Sequence, residues 1–326
     1  MLETALVESQ MSATLDPLRT KERLGPALGV EPNVATPKPV PPTVRCRQIY
    51  ADDLEEILDL LCEGFVRQTR SHWATALEIL GSRTTQTGMP RYGYMLESGG
   101  RPVGVLLMIF GAVHRDGTTT TRSTGSAWYV RPDFRTYASI LVSQWRRLPA
   151  DIHLNVDPAE HTLPIIEAMG FVRFTNGITL SVPAATLQAA RIRILDASGL
   201  ADAERPIPNE DRDLLIDHFR SGCIALWCET PDGGYPFVFR RRLIKRWLPS
   251  AHLIYCRHLE DLTRLAGPVG RYLMRCGLPV VMAATNGPIP GIPGLYIDNM
   301  HPMYFRGKIQ PRPGDLAYTE AGLFGL

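Results

Sequence analysis

The stretch from Trp128 to Phe171 constrains the fold more than any other part of the chain. It begins with the strand-like run WYV and passes through a Val-x-Pro-x-x-Arg turn into a helical run over 132–147. A second strand, DIHLNV, follows, and a second helical run ends in Gly170-Phe171. Free amides at a helix N-terminus, together with the helix dipole, favour an anion. The order therefore predicts a strand–helix–strand–helix unit in which the first helix begins after Val130.

The elements on either side of this stretch extend the pattern. An alternating strand begins at Val44, and two helices follow, over 51–65 and over 71–80. The next run reads as a hairpin that turns at Gly99-Gly100, and further strands are predicted over 121–130 and 171–180. This succession over 44–180 resembles the GNAT superfamily, the acyl-CoA-dependent N-acyltransferases. The resemblance implies that the loop after Val130 holds the pyrophosphate of the donor.

The remainder of the chain repeats the outline more faintly. A strand near 190–198 precedes a helix with Asn209 as N-cap, and a hairpin turns at Asp232-Gly233-Gly234. A strand over 251–256, a helix broken or kinked at Pro268 and a strand over 278–286 complete the set. We interpret this as a structural duplication. The predicted fold class is α/β (α+β), with two GNAT-like domains, each a mixed, mostly antiparallel sheet flanked by helices, an outline that resembles the tandem domains of mycothiol synthases.

The predicted domain boundaries follow from these runs. Residues 1–43 form a Pro-rich leader that is extended or disordered, because proline fixes φ and removes backbone donors. The first GNAT-like domain is predicted over 44–182 and a second, degenerate one over 183–326.

Composition excludes several classes of protein. A net charge of +2 over 326 residues gives no general attraction to nucleic acid or to a membrane. None of the six cysteines forms a C-x-x-C pair, which favours reduced thiols in the cytoplasm, and no metal-binding spacing is present. No stretch approaches the roughly 20 apolar residues of a membrane span, and no secretory signal is evident.

The resemblance implies a set of cofactor-binding residues for acetyl-CoA or another acyl-CoA. Tyr129 and Val130 end the strand that would hold the pantetheine, and Arg135 opens the aligned phosphate loop. Ala138 stands where the family has a glycine, and Ile140 where it has a small residue. The predicted cofactor-binding residues are Tyr129, Val130, Arg135, Thr136, Tyr137, Ala138, Ser139 and Ile140.

The catalytic candidates are less regular. Ile166 falls where the family often has a tyrosine that protonates the leaving thiolate, and isoleucine cannot transfer a proton. His153 and Asn155 share one face of their strand by the period of two, and Glu160 and His161 open the next helix. These four are the predicted catalytic residues, although His153 also fits a core histidine and Glu160 a favourable first-turn carboxylate.

The second half supplies further candidates. The basic run Arg240–Arg242 with Lys245 and Arg246 would receive an anionic substrate or phosphates, or would be a solvated face. The Gly- and Pro-rich segment over 286–307 is predicted to be a loop that carries Asp298 and His301, an acid–base pair if their side chains converge.

The favoured function is an acyl-CoA-dependent N-acyltransferase that acts on a small-molecule amine acceptor by direct attack on the thioester. One alternative is a catalytically inactive GNAT-like binding or regulatory protein. The other is an acyltransferase whose donor is held on an acyl carrier protein, which would dock on basic surface such as Arg146-Arg147 or Arg240–Arg242. The sequence leaves the acceptor, the acyl chain length and the oligomeric state open.

Overall fold

A computed structural model describes residues 43–84, 87–115, 117–187 and 192–325, and the predicted leader over 1–43 lies almost entirely outside them. Within this part of the chain twelve strands form one sheet. The strands are β1 Val44–Gln48, β2 Gly93–Ser98, β3 Arg101–Arg115, β4 Thr118–Val130, β5 Ile152–Asn155, β6 Val172–Ser181, β7 Arg193–Asp196, β8 Ile224–Thr230, β9 Gly233–Ile244, β10 Leu248–Cys256, β11 Val280–Thr285 and β12 Gly294–Gly307.

The described helices pack on both faces of this sheet. They are α1 Leu54–Gly64, α2 Arg70–Ser82, α3 Ala138–Arg146, α4 Leu163–Ala168, α5 Asn209–Arg220, α6 Leu259–Arg264, α7 Ala266–Arg275 and the single turn α8 Glu320–Leu323. Short 3₁₀ turns precede several of them, including Pro132–Tyr137 before α3. Among the described residues no helix is long and apolar enough to cross a membrane.

The strand order has an internal symmetry. The order is β1-β2-β3-β4-β5-β12-β6-β11-β10-β9-β8-β7, so five strands lie on each side of the central β12–β6 pair. On each side the strands that lie farther from this pair come earlier in that half of the chain, except for β12 itself. Two neighbouring pairs are parallel, β4 with β5 and β10 with β11, and they occupy equivalent places. The mixed α/β fold predicted from the sequence is thus confirmed, whereas the boundary between the two predicted domains stays a prediction.

Strand β12 corrects the prediction of a loop over 286–307. Residues 294–307 form a strand that pairs antiparallel with β5 on one side and β6 on the other. The register slips between Asp298 and Met303, and the intervening Asn299 and His301 have left-handed φ values of 54° and 49°. The sequence predicts a loop because this irregular centre and the flanking Gly-Pro pairs interrupt the alternation expected of a strand. The segment is nevertheless a strand because β5 and β6 provide hydrogen-bond partners for its backbone amides and carbonyls.

The core follows from alternation along the strands. On β3, Val105, Leu107 and Ile109 contact α1 and α2, whereas the intervening residues Leu106, Met108 and Phe110 contact α3 and α4. The second half repeats this, with α5 packed on one face of β8–β10 and α6 and α7 on the other. A sheet covered on both faces buries both side-chain sets of its strands.

Two helix boundaries differ from the predictions. The N-cap of α5 is Pro208, and Asn209 is already the first helical residue. The sequence predicts a helix break at Pro268, but in the structure the break lies three residues earlier, at Leu265, between α6 and α7. Proline lacks the amide that would bond to the carbonyl of residue i−4, so the helix restarts with Pro268 inside the first turn of α7, where that amide is not needed.

Candidate active site

The parallel strands β4 and β5 diverge towards their carboxyl ends. They pair only between Arg122–Thr124 and Ile152–Leu154, after which β5 ends at Asn155 and β4 continues to Val130. The described chain places no strand against the β5 side of β4 over 125–130. An unpaired strand edge offers backbone donors and acceptors to an amide-bearing ligand.

A β-bulge lies at the point of divergence. Gly125 pairs with Met108 and Trp128 with Leu106, so Ser126 and Ala127 both lie opposite the single residue Leu107. Bulges twist a strand and turn a backbone group away from its ladder, and they are common next to active sites.

A cavity of about 370 Å³ lies beside this bulge. It is lined by the α1–α2 connection with its flanking helix residues, the bulge, the second residue after β5 and the C-terminal turn: Gly64, Phe65, Val66, Arg67, Gln68, Trp73, Ser126, Ala127, Asp157 and Glu320. Three of these residues carry a buried polar atom without a hydrogen-bond partner among the described residues, namely Trp73 Nε1, Ser126 Oγ and Glu320 Oε2. Buried polar atoms are normally paired, so their convergence on one cavity indicates a polar ligand site.

Glu320 is the titratable group of this cavity with the strongest perturbation. Its side chain is 3% exposed at the start of α8. Burial raises the pKa of Glu320 from its ordinary value of 4.5 to about 8, and the nearby Asp157 carboxylate acts in the same direction. A carboxyl group that titrates near neutral pH is suited to proton transfer.

The C-terminal segment that carries Glu320 is held by buried polar contacts. Arg122 on β4 donates two hydrogen bonds to the Asp315 carboxylate, at 2.8 and 2.7 Å, and both side chains are buried. Farther along, Arg240 donates to the carbonyl of Gly322 at 2.7 Å and Arg242 to that of Gly325 at 2.6 Å. The segment therefore bridges β4 of the first half and β9 of the second.

An acid–histidine pair lies next to the cavity. His301 Nδ1 is 3.5 Å from Asp157 Oδ1, and this carboxylate raises the pKa of His301. The sequence suggested Asp298 as the partner of His301. The structure instead places the Tyr296 hydroxyl as a donor to Asp298, at 2.9 Å.

The predicted cofactor-binding residues separate into two groups. Val130 is buried and Tyr137, Ala138 and Ile140 pack against the same core cluster, whereas Arg135, Thr136 and Ser139 are exposed. Ile140 thus packs inward, away from those exposed side chains. The amides of Phe134 and Ala138 donate to the carbonyls of Arg131 and Arg135, so part of the predicted amide row is already used.

Tyr129 belongs to a small polar network at the end of β4. Its hydroxyl donates to Glu63 Oε1 at 3.0 Å, and Arg131 Nε lies 3.0 Å from Glu63 Oε2. The Arg131 guanidinium, with help from the Tyr129 hydroxyl, lowers the pKa of Glu63 below its usual value, although burial acts in the opposite direction. The Tyr129 ring packs on Gly64, where an added Cβ would lie 2.3 Å from a ring carbon.

The four predicted catalytic residues do not meet in this cavity. His153 is buried, with Nδ1 2.7 Å from Ser123 Oγ, and Trp145 Nε1 donates to the same oxygen at 2.9 Å. Burial lowers the pKa of His153 to about 4, so its imidazole is neutral at pH 7. Asn155 is buried opposite Tyr304, and Glu160 and His161 are exposed on a 3₁₀ turn. Their catalytic role stays a prediction.

Sequence reasoning did not single out Glu320. The surrounding run YTEAGLF contains no motif, and its one local signal is a threonine before a short helix. Asp157 lies close in sequence to the predicted residues Glu160 and His161, but its partner His301 lies more than 140 residues farther along the chain.

Comparison with solved structures identifies the fold to which this sheet, with its diverging parallel pair and bulge, belongs. No family model matches the chain, and no curated protein matches its sequence. A GCN5-related N-acetyltransferase from Anabaena variabilis ATCC 29413 aligns with a TM-score of 0.55 and 8% identity over 81% of this chain and 72% of the other.

Two further solved structures give the same result. A GCN5-related N-acetyltransferase from Kribbella flavida has a TM-score of 0.50 and 15% identity, covering 81% of this chain and 71% of the other. A protein of Enterococcus faecalis V583 described as a probable N-acyltransferase has a TM-score of 0.51 and 11% identity, covering 81% and 72%. The chain therefore has the GNAT fold, as the sequence resemblance implied.

Proposed function

We propose that this protein is an acyl-CoA-dependent N-acyltransferase whose reaction centre is the cavity beside the β4 bulge. The observation that supports this most is the buried Glu320 carboxyl group, which shares the cavity with Ser126 and lies where β4 and β5 part. The GNAT fold supports the reaction class, because the similar solved structures are described as N-acetyltransferases or N-acyltransferases.

The diverging strands fit the donor. The amides of a pantetheine arm would pair with the free edge of β4 over 125–130, which leads from the bulge to the exposed end of the strand. The exposed side chains of Arg135, Thr136 and Ser139 follow, and Ser139 lies four residues after Arg135 and three after Thr136, the spacings at which helical side chains are neighbours. They would bind the phosphates through a guanidinium and two hydroxyls, since neighbouring amides are engaged within the 3₁₀ turn.

The proposed chemistry is direct transfer. The amine nitrogen attacks the thioester carbonyl carbon, the new C–N bond forms and the C–S bond breaks. Ionised Glu320 accepts the proton that the attacking nitrogen loses. This proton then passes to the leaving sulfur, which departs as a thiol. With a pKa of Glu320 near 8, the ionised fraction and hence the rate rise with pH through that value.

We further propose a cytoplasmic setting and a small-molecule amine acceptor. All six cysteines are free thiols in the structure, which supports a reducing compartment. The size of the cavity, about 370 Å³, supports a small acceptor rather than a folded protein.

A turnover assay tests the proposal. Purified protein is incubated with acyl-CoA donors of increasing chain length and a panel of amines, and free thiol and acylated product are both measured. We expect thiol release that requires the amine, a loss of at least tenfold in kcat/KM for Glu320→Gln, and a raised donor KM for Arg135→Glu. Glu78→Gln on the exposed face of α2 is the matched control.

The alternatives give different results in the same experiment. Calorimetric binding of a metabolite or a CoA ester without turnover would favour the inactive binding protein. Turnover with an acyl carrier protein donor, lost at high salt and absent with acyl-CoA, would favour the carrier-dependent enzyme. Either result would refute the acyl-CoA proposal.

A further inference from the structure

One edge of the sheet gathers strand ends from both halves. β5 and β6 each run antiparallel to β12, so they point the same way, and β4 is parallel to β5. β11 is antiparallel to β6, and β10 is parallel to β11 and antiparallel to β9. The ends of β6 and β9 and the starts of β10, β11 and β12 therefore lie at the edge where β4 and β5 also end. We call the part of this edge formed by 178–187, 240–252, 271–282 and 287–297 the basic edge.

The charge of the basic edge is one-sided. Its four segments contain seven arginines and lysines and not one aspartate or glutamate, although the whole chain has a net charge of only +2. Arg240 and Arg242 turn towards the C-terminal segment, but Arg241, Lys245 and Arg246 are exposed. A field of one sign on this scale attracts an anionic surface.

Large apolar side chains are exposed along the same edge. Trp247 is 72% exposed, Leu243 62%, Leu295 49% and Val182 37%. Leu243 and Val182 lie at the ends of β9 and β6, and Trp247 and Leu295 at the starts of β10 and β12. The outermost of these strands, β9 and β12, are four strand spacings of about 4.8 Å apart, so the row spans roughly 19 Å. Exposed apolar rows bordered by polar residues mark interaction sites.

The β9–β10 turn forms the tip of this edge. Lys245 and Arg246 occupy its two central positions with φ values of 48° and 68°, and the Trp247 amide donates to the Ile244 carbonyl. Such turns normally carry Asn-Gly, because left-handed backbone disfavours residues with a Cβ. Here the strained positions carry two long cations directly before an exposed tryptophan, and local strain of this kind is concentrated at functional sites.

We propose that the basic edge docks the protein on an anionic lipid bilayer. The basic edge combines exposed cations with exposed apolar side chains, with Lys245, Arg246 and Trp247 together at the β9–β10 turn. A bilayer interface suits this combination, because tryptophan partitions to the headgroup level while lysine and arginine attract anionic headgroups. The same edge contains the ends of β4 and β5, so docking brings the cavity next to the bilayer.

Vesicle sedimentation with the full chain tests the proposal. The protein is mixed with vesicles of phosphatidylcholine alone, or of phosphatidylcholine and phosphatidylglycerol, at low and high salt. We expect binding only to the anionic vesicles, weakened by salt. Each cation at an anionic surface contributes about fivefold to partitioning, so Lys245→Gln with Arg246→Gln should weaken binding by about 25-fold. Trp247→Ser with Leu243→Ser should also reduce it, and this loss should persist at high salt.

The control is a similar pair on the opposite edge of the sheet. Lys308 and Ile309, just beyond the end of β12, are both exposed, and Lys308→Gln with Ile309→Ser should bind vesicles like wild type. Circular dichroism and thermal melting confirm that each variant is folded. Unchanged binding in both edge variants would overturn the proposal. So would salt-sensitive binding to an acidic acyl carrier protein without binding to vesicles, which would assign the edge to a protein partner.

Discussion

Replacing Glu320 with glutamine removes one ionisable group from the cavity and changes its shape very little. The glutamine side chain is isosteric with the protonated carboxyl group but cannot release a proton. Because the side chain is 3% exposed, solvent barely screens it, and the folded protein penalises its charged form strongly. The variant should therefore differ from wild type in how stability depends on pH.

The magnitude follows from the two protonation equilibria. The unfolded chain releases the Glu320 proton near pH 4.5, and the folded protein retains it up to about pH 8. Between these values the folded state binds more protons, so the stability of wild type falls as pH rises. At about 1.36 kcal/mol per pH unit, the interval corresponds to about 5 kcal/mol, reached above pH 8.

Urea unfolding of both proteins from about pH 5 to about pH 9 measures this difference. The free energies of unfolding should nearly coincide at the acid end, and Glu320→Gln should become progressively more stable than wild type as pH rises. Glu78→Gln, with its carboxyl exposed on α2, should stay parallel to wild type throughout. A wild-type-to-variant difference that is constant across this range would show that Glu320 titrates normally, and would remove its assignment as the base.

Three further predictions concern stability. Asp315→Asn should cost about 3–5 kcal/mol in urea unfolding, because the Arg122 guanidinium loses its buried bidentate partner. Gly270→Ala should lower the melting temperature, with a cost of at least about 2 kcal/mol, since the new Cβ would lie 2.2 Å from the backbone nitrogen of Ala184. His153→Gln should lose less stability than wild type as pH falls from 6.5 towards 4, because in wild type the unfolded chain takes up a proton that burial keeps off the folded histidine. The free energies of unfolding of both proteins at pH 7 and pH 5 check the sign.

Local sequence signals suffice for most elements of the first half. The hairpin at Gly99-Gly100 is encoded by two glycines with left-handed φ values of 59° and 79° between alternating strands. The helix over 54–64 is encoded by the spacing of its buried residues Ile57, Leu58 and Leu61. Such signals depend only on neighbouring residues in the sequence, so these elements can be predicted without knowledge of the tertiary fold.

The central strand β12 could not be predicted in the same way. Its regularity comes from partners on β5 and β6 that precede it by more than 100 residues, and its own centre is irregular at Asn299 and His301. The alternation of buried and exposed residues that usually signals a strand is absent here, because Tyr296 and Ile297 are both half-buried and Asp298 and Asn299 are both exposed. Long-range pairing thus overrides a local pattern that is typical of a loop.

The candidate site shows why a motif search confined to Trp128–Phe171 is incomplete. That stretch supplies the strand edge and the exposed Arg135 for a donor, but the carboxyl group of the cavity comes from Glu320, more than 140 residues later. Asp315 brings the C-terminal segment to β4 through its pair with Arg122, and β12 brings His301 to Asp157. In the proposed reaction the first half would form only the donor side, and the proton-transfer side would assemble when the chain returns from the second half. Under the proposed mechanism, Glu320 from the other half would supply the proton transfer that the buried Ile166, at the place of the family tyrosine, cannot.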